Sequence, residues 1–83
     1  MELQLFGTLG CHLCEQAEGI VESCAAQLPG LWVCRIDIAE QVQWQPEYAV
    51  RIPVLRHPAS GKELGWPFDD ANVMAFMTGL KKE

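Results

Sequence analysis

A Cys11-His12-Leu13-Cys14 pair, set between a short strand and the first turn of a helix, narrows the folds open to this chain more than any other feature. Ahead of it, Leu3-Gln4-Leu5-Phe6 alternates as a strand does, and Gly7-Thr8-Leu9-Gly10 supplies turn chemistry. Behind it, Leu13, Ala17, Ile20, Val21, Cys24 and Leu28 recur at spacings of three and four, while Glu15, Glu18 and Glu22 take the remaining helical surface. The pattern predicts an amphipathic helix that ends by Pro29-Gly30. Residues 31–38 are mostly apolar and partly β-branched, the composition of a buried strand. Strand, helix and strand then make a βαβ unit with parallel strands and a right-handed crossover.

The stretch from Ala39 to Tyr48 is polar and glutamine-rich, and Pro46 interrupts any continuous helix there, so a short or irregular helix is expected. Pro53-Val54-Leu55-Arg56 and residues 62–66 flank His57-Pro58-Ala59-Ser60-Gly61 as an antiparallel hairpin. Asp69 or Asp70 can cap a last helix whose apolar face is Val73, Phe76, Met77 and Leu80, with Lys81 and Lys82 at its negative end. The order β-α-β-α-β-β-α implies an α/β fold with a four-stranded mixed sheet and helices on both faces, one domain spanning residues 1–83.

Composition removes several function classes. Eleven acids against six bases give a net charge of -5, which argues against a nucleic-acid surface, since phosphate binding needs clustered Lys and Arg. No apolar run approaches the roughly 18 residues of a membrane span, and the N-terminus has neither a basic nor a long apolar leader region, so a soluble cytoplasmic monomer is expected. In that compartment four cysteines point to thiols, redox chemistry or metal rather than to a disulfide framework.

A cysteine that opens a helix meets unpaired backbone N–H groups and the positive end of the dipole, which favour a thiolate. Cys11 is therefore the candidate nucleophile, and Cys14, one turn on, is placed to resolve a mixed disulfide on Cys11. His12 favours the thiolate when protonated, and Glu15 opposes it. Zinc usually takes a second C-x-x-C, whereas Cys24 and Cys34 stand alone on a helix and a strand, and haem attachment needs His where Glu15 stands. No metal and no cofactor are expected. Cys24 and Cys34 read as small buried hydrophobes, a second disulfide being the alternative. Trp44, Tyr48 and Trp66 suit either a groove rim or a core, and His57 has no assigned role.

The chain resembles glutaredoxin-like members of the thioredoxin superfamily over nearly its whole length. The residues that carry this are 5–15, which are similar to the strand-loop-helix opening of a small bacterial group, Arg51-Ile52-Pro53-Val54-Leu55, and Phe68-Asp69-Asp70. The resemblance implies a thioredoxin-like sandwich and thiol-disulfide oxidoreductase activity through Cys11 and Cys14. It also implies a cis Ile52-Pro53 bond beside the cysteines, with the Ile52 backbone free to pair with a peptide or glutathione strand. His12, Leu13, Ile52, Pro53, Asp69 and Asp70 become substrate-binding candidates, although acids at a helix start are also expected from capping alone. Thr8 stands where these proteins usually carry a Lys, Gly65-Trp66-Pro67 where they carry Gly-Gly, and His12-Leu13 matches neither of the common inter-cysteine pairs. Implied partners are a disulfide-bearing protein or glutathione, with glutathione as a co-substrate, and a reducing thiol or reductase. The alternatives are a non-catalytic binding module, a metal or iron-sulfur carrier, and inert buried thiols.

Overall fold

A computed structural model describes residues 1–81. The chain runs β1 (Glu2–Gly7), α1 (His12–Ala25), β2 (Trp32–Asp37), a 3-10 turn (Val42–Trp44), α2 (Gln45–Tyr48), β3 (Val54–His57), β4 (Lys62–Gly65) and α3 (Asp70–Lys81). The strands form one mixed sheet in the order β2-β1-β3-β4. β1 pairs with β2 in parallel, from Glu2 opposite Trp32 to Gly7 opposite Asp37, and with β3 antiparallel, Phe6 opposite Val54. β3 and β4 form the expected antiparallel hairpin, and its turn uses Gly61 at a φ of 78°, a backbone region that favours glycine.

Alternation along β1 divides the core between the two faces of the sheet. Leu3, Leu5 and Leu55 pack against Ala17, Val21 and Cys24 of α1 and against Phe68, Val73, Met77 and Leu80 from the last part of the chain. On the other face Phe6, Ile36 and Val54 pack with Ile38 and Tyr48. The Phe6 ring stacks on Tyr48 at 4.1 Å and meets Trp44 edge-on at 5.1 Å. Pro46 sits in the first turn of α2, where a missing N–H breaks no helical bond. The polar stretch therefore folds as a 3-10 turn followed by one α turn.

Three expectations from the sequence change here. β2 is an edge strand, and along it only Ile36 is buried, because the single turn of α2 covers Ile36 and reaches neither Cys34 nor Trp32. Cys34 is consequently exposed rather than a core thiol, in register with Gln4, whose amide oxygen accepts from Arg56 at 3.1 Å. Leu13 is 45% exposed, and Cys14 takes its place in the buried stripe of α1. Of the two roles open to Tyr48, groove rim or core, it takes the core. At the start of α3, Asp69 and Asn72 bond each other's backbone N–H groups reciprocally. Lys82 lies outside the described residues.

Candidate active site

The site forms where β1 ends and α1 begins. A Cβ on Gly7 would stand 3.2 Å from both Cβ and Sγ of Cys14, so the last residue of the strand must be small for α1 to pack this close. Gly10, at a φ of 78°, turns the chain into the helix. Cys11 is the N-cap residue, with extended backbone (φ -89°, ψ 108°), and its Sγ accepts from the Cys14 backbone N–H at 3.2 Å. The two cysteines are joined as a disulfide, their Cα atoms 5.1 Å apart. Cys11 is half-buried and Cys14 only 5% exposed, so an incoming group meets Cys11 first. Once the pair is reduced, the N–H that already points at Cys11 and the helix dipole both favour a thiolate there. His12 and Glu15 face each other at 4.0 Å on the exposed rim.

The backbone register brings the second sequence motif to the same place. Phe6 lies opposite Val54, so Pro53 falls beside Gly7, and Gly7 is the residue against which Cys14 packs. The Ile52-Pro53 bond is cis, and so is Trp66-Pro67, which the sequence did not signal. The Trp66 N–H donates to the Pro53 carbonyl at 3.3 Å, tying the end of β4 to this loop. The Ile52 N–H is not free for a substrate strand: it donates to the Tyr48 carbonyl at 3.1 Å, one bond of the turn that follows α2. Among the described residues none donates to the Ile52 carbonyl, which is the backbone group left for pairing.

Asp69 and Asp70 are not gathered around Cys11. The Asp70 carbonyl accepts from the Cys24 thiol at 3.7 Å. Cys24 follows Cys11 by 13 positions, roughly 19 Å along a helix axis. Asp69 spends its carboxylate on the cap to Asn72. Burial first, and then the Asp70 charge, push the Cys24 thiol pKa up. Cys24 and Cys34 lie on opposite faces of the sheet, in no position to pair. His57 closes the hairpin turn through Ser60 at 2.7 Å.

Three features were missed by the sequence reading. One is a cavity of about 300 Å³ beside Cys14, lined by Thr8, Gly10, Glu15, Glu18, Arg35 and Asp37 among others. The parallel register sets its lining residues Asp37 and Gly7 opposite each other, and Arg35 within it bonds Glu18 at 2.9 Å. The second is a cluster around Glu63, whose carboxylate accepts from the Tyr48 hydroxyl and from Arg51, each at 2.5 Å. The Arg51 guanidinium also lies 5.0 Å over the Tyr48 ring, so the cluster braces the residue just ahead of Ile52-Pro53. The third is the exposure of Leu9, two residues ahead of Cys11, and of Val50, two residues ahead of Ile52. Among the described residues no group of three or more His, Cys, Asp or Glu is placed to hold a metal ion, and no helix is long and apolar enough to cross a membrane.

Residues 2–78 match the model of the Glutaredoxin-like domain (DUF836). The chain belongs to this glutaredoxin-like family. Its structure is similar to the X-ray structure of XcR50 from X. campestris, with a TM-score of 0.76 and 31% identity over 93% of this chain and 96% of that one. The solution structure of XcR50 gives the same TM-score at 34% identity, covering 95% of each. Thioredoxin 1 from Thermosipho africanus also has a TM-score of 0.76, at 15% identity over 99% and 96%, and that likeness establishes a thioredoxin fold. No protein with a curated description matches the chain. The glutaredoxin-like domain thus has the thioredoxin-type α/β architecture that the sequence resemblance implied.

Proposed function

We propose that this glutaredoxin-like protein is a thiol-disulfide oxidoreductase that reduces protein or glutathione mixed disulfides through Cys11 and Cys14. The observation that carries the reading is the asymmetry of the pair: a reachable sulfur at the helix N-cap, bonded to a buried sulfur one turn on. In the dithiol form the Cys11 thiolate attacks one sulfur of the substrate disulfide. A new S–S bond forms to Cys11, the substrate bond breaks, and the first thiolate leaves and takes a proton from water. Cys14 then loses its proton, attacks Cys11 Sγ, closes the intramolecular disulfide and expels the second substrate thiolate. Two electrons pass from the cysteine pair to the substrate, and an external thiol or dithiol reductant returns them. Sulfur supplies all of this chemistry, with no further cofactor.

His12, Leu13, Ile52 and Pro53 frame the incoming disulfide, the Ile52 carbonyl offering one backbone bond. Asp69 and Asp70 belong to the start of α3 in this reading. A reducing, cytoplasmic setting suits this direction of electron flow, as part of cell redox balance. The test exposes reduced protein to 2-hydroxyethyl disulfide and follows free thiols. The expected result is loss of the Cys11 and Cys14 thiols with Cys24 and Cys34 retained, and abolition of the reaction by Cys11→Ser. Equal reactivity in Cys11→Ser overturns the reading.

A further inference from the structure

Most of the large hydrophobic side chains that this protein exposes stand next to the two motifs of the site in sequence. Among the described residues the exposed ones are Leu9, Leu13, Trp32, Val42 and Val50, and three of the five lie within two positions of Cys11 or Ile52. Leu9 is 86% exposed and Val50 97%, values that leave nearly a whole apolar side chain in water two residues ahead of Cys11 and two residues ahead of Ile52, whose neighbour Pro53 lies beside Gly7 and so beside Cys14. Isolated exposed hydrophobics need no explanation, but a set converging on a reactive group marks a contact surface.

The charges around this surface narrow what it can contact. Glu15, Glu18 and Asp37 line the cavity beside Cys14, and Arg35, the base there, is bonded to Glu18. Arg51, next to Ile52, is engaged by Glu63 and lies 3.8 Å from Glu47. Thr8 stands in the loop ahead of Cys11 and carries no charge. A ligand with two carboxylates therefore meets a negative rim whose cations are already paired, and it finds one backbone acceptor at Ile52 rather than a donor and an acceptor. A polypeptide with apolar and basic side chains meets the opposite situation, because it covers Leu9, Leu13 and Val50 and complements the acids.

Resting on the exchange reading above, we propose that the substrate is a disulfide within a polypeptide segment whose neighbouring residues are apolar and basic, and that glutathione disulfides are disfavoured. Cys11 attacks the peptide disulfide, Cys14 releases the peptide thiols, and an external dithiol restores the pair, so electrons balance as in the general scheme.

The test is single-turnover oxidation of the reduced protein by three disulfides: a short peptide with Leu and Lys beside its cysteine, the same peptide with Ser and Glu, and glutathione disulfide. Covering one leucine-sized surface corresponds to about tenfold in rate at the low end, so the Leu-Lys peptide should react at least ~10 times faster than the other two. Leu9→Ser and Val50→Ser should each bring the peptide ratio toward one, while Trp32→Ser, at the far end of β2, should leave it unchanged. Added salt should weaken the preference for Lys over Glu. Equal rates for all three disulfides, or glutathione disulfide reacting fastest, would overturn the selectivity while exchange itself stands. Absence of reaction with all three would remove the exchange reading and this proposal together.

Discussion

Replacing Glu63 by Gln keeps the shape of the side chain and removes the charge on which three other side chains converge. The Tyr48 hydroxyl and Arg51 both donate to its carboxylate, and Arg56 Nε lies 3.9 Å away. Burial pushes the Glu63 carboxyl up, but the bonds from Tyr48 and Arg51 and the charges of Arg51 and Arg56 outweigh it, so its pKa lies below the ordinary value. Tyr48 is pushed up to about 12, by burial first and then by its bond to Glu63. Gln still offers Tyr48 an acceptor, but a neutral one, which costs about 1 kcal/mol. Arg51 is well exposed, so losing its charged partner adds at most about 1 kcal/mol after solvent screening. A total near 2 kcal/mol corresponds to roughly 10 °C in the melting temperature of a domain this small. A depressed folded-state pKa contributes stability that is present above the unfolded value, about 4.3 for Glu. That stability is lost as pH falls through the folded value. Melting curves by near-ultraviolet circular dichroism should therefore differ by roughly 10 °C at neutral pH and converge in acid below the folded-state pKa. A gap under ~2 °C at neutral pH, or one that persists undiminished in acid, refutes the assignment.

In the native oxidised protein a maleimide should label Cys34 alone, slowly at pH 7 because its thiol pKa is raised, and Cys24 only after unfolding; native labelling of Cys24 contradicts its burial. Gly7→Ala forces a methyl against Cys14 and should cost about 1–2 kcal/mol. It should also slow closure of the disulfide more than the first attack by Cys11. Rapid acid quenching with mass analysis reads the mixed-disulfide intermediate, and its failure to accumulate in this variant counts against the packing argument. Asp69→Ala removes the reciprocal cap and should lower stability by about 1 kcal/mol. A rise in KM for glutathione disulfide in this variant, in place of the stability loss, would return Asp69 to a substrate role.

The elements legible in the sequence were those whose period and punctuation agree. β1 and α1 each had a clear repeat, the hairpin had turn residues at its tip, and the observed order follows them. β2 was misread because an apolar run tells how much surface a strand wants to bury, not whether an element is present to cover it. Trp32 and Cys34 face a sheet surface that α2, one turn long, does not reach. At the site the cysteine spacing carried the chemistry locally, and proline in Arg51-Ile52-Pro53 was assigned through the family resemblance. The Ile52 N–H is taken by a turn bond to Tyr48, four residues back, whereas the Glu63 cluster and the cavity beside Cys14 depend on pairings between distant segments, such as Phe6 with Val54 and Gly7 with Asp37. No local pattern encodes those. Asp69 and Asp70 show the converse, since two acids at a helix start suit both a cap and a ligand site, and only the contact of Asp70 with Cys24 separates the two.

In the proposed exchange Cys11 attacks and Cys14 resolves. Reduced Cys14→Ser protein mixed with the Leu-Lys peptide disulfide, then acid-quenched for intact mass and peptide mapping, addresses it in one step. One peptide thiol should be held on Cys11, stable in Cys14→Ser, transient in the unsubstituted protein and absent in Cys11→Ser. A peptide adduct found mainly on Cys14 in the Cys11→Ser protein, or none on Cys11 in Cys14→Ser, would contradict these roles.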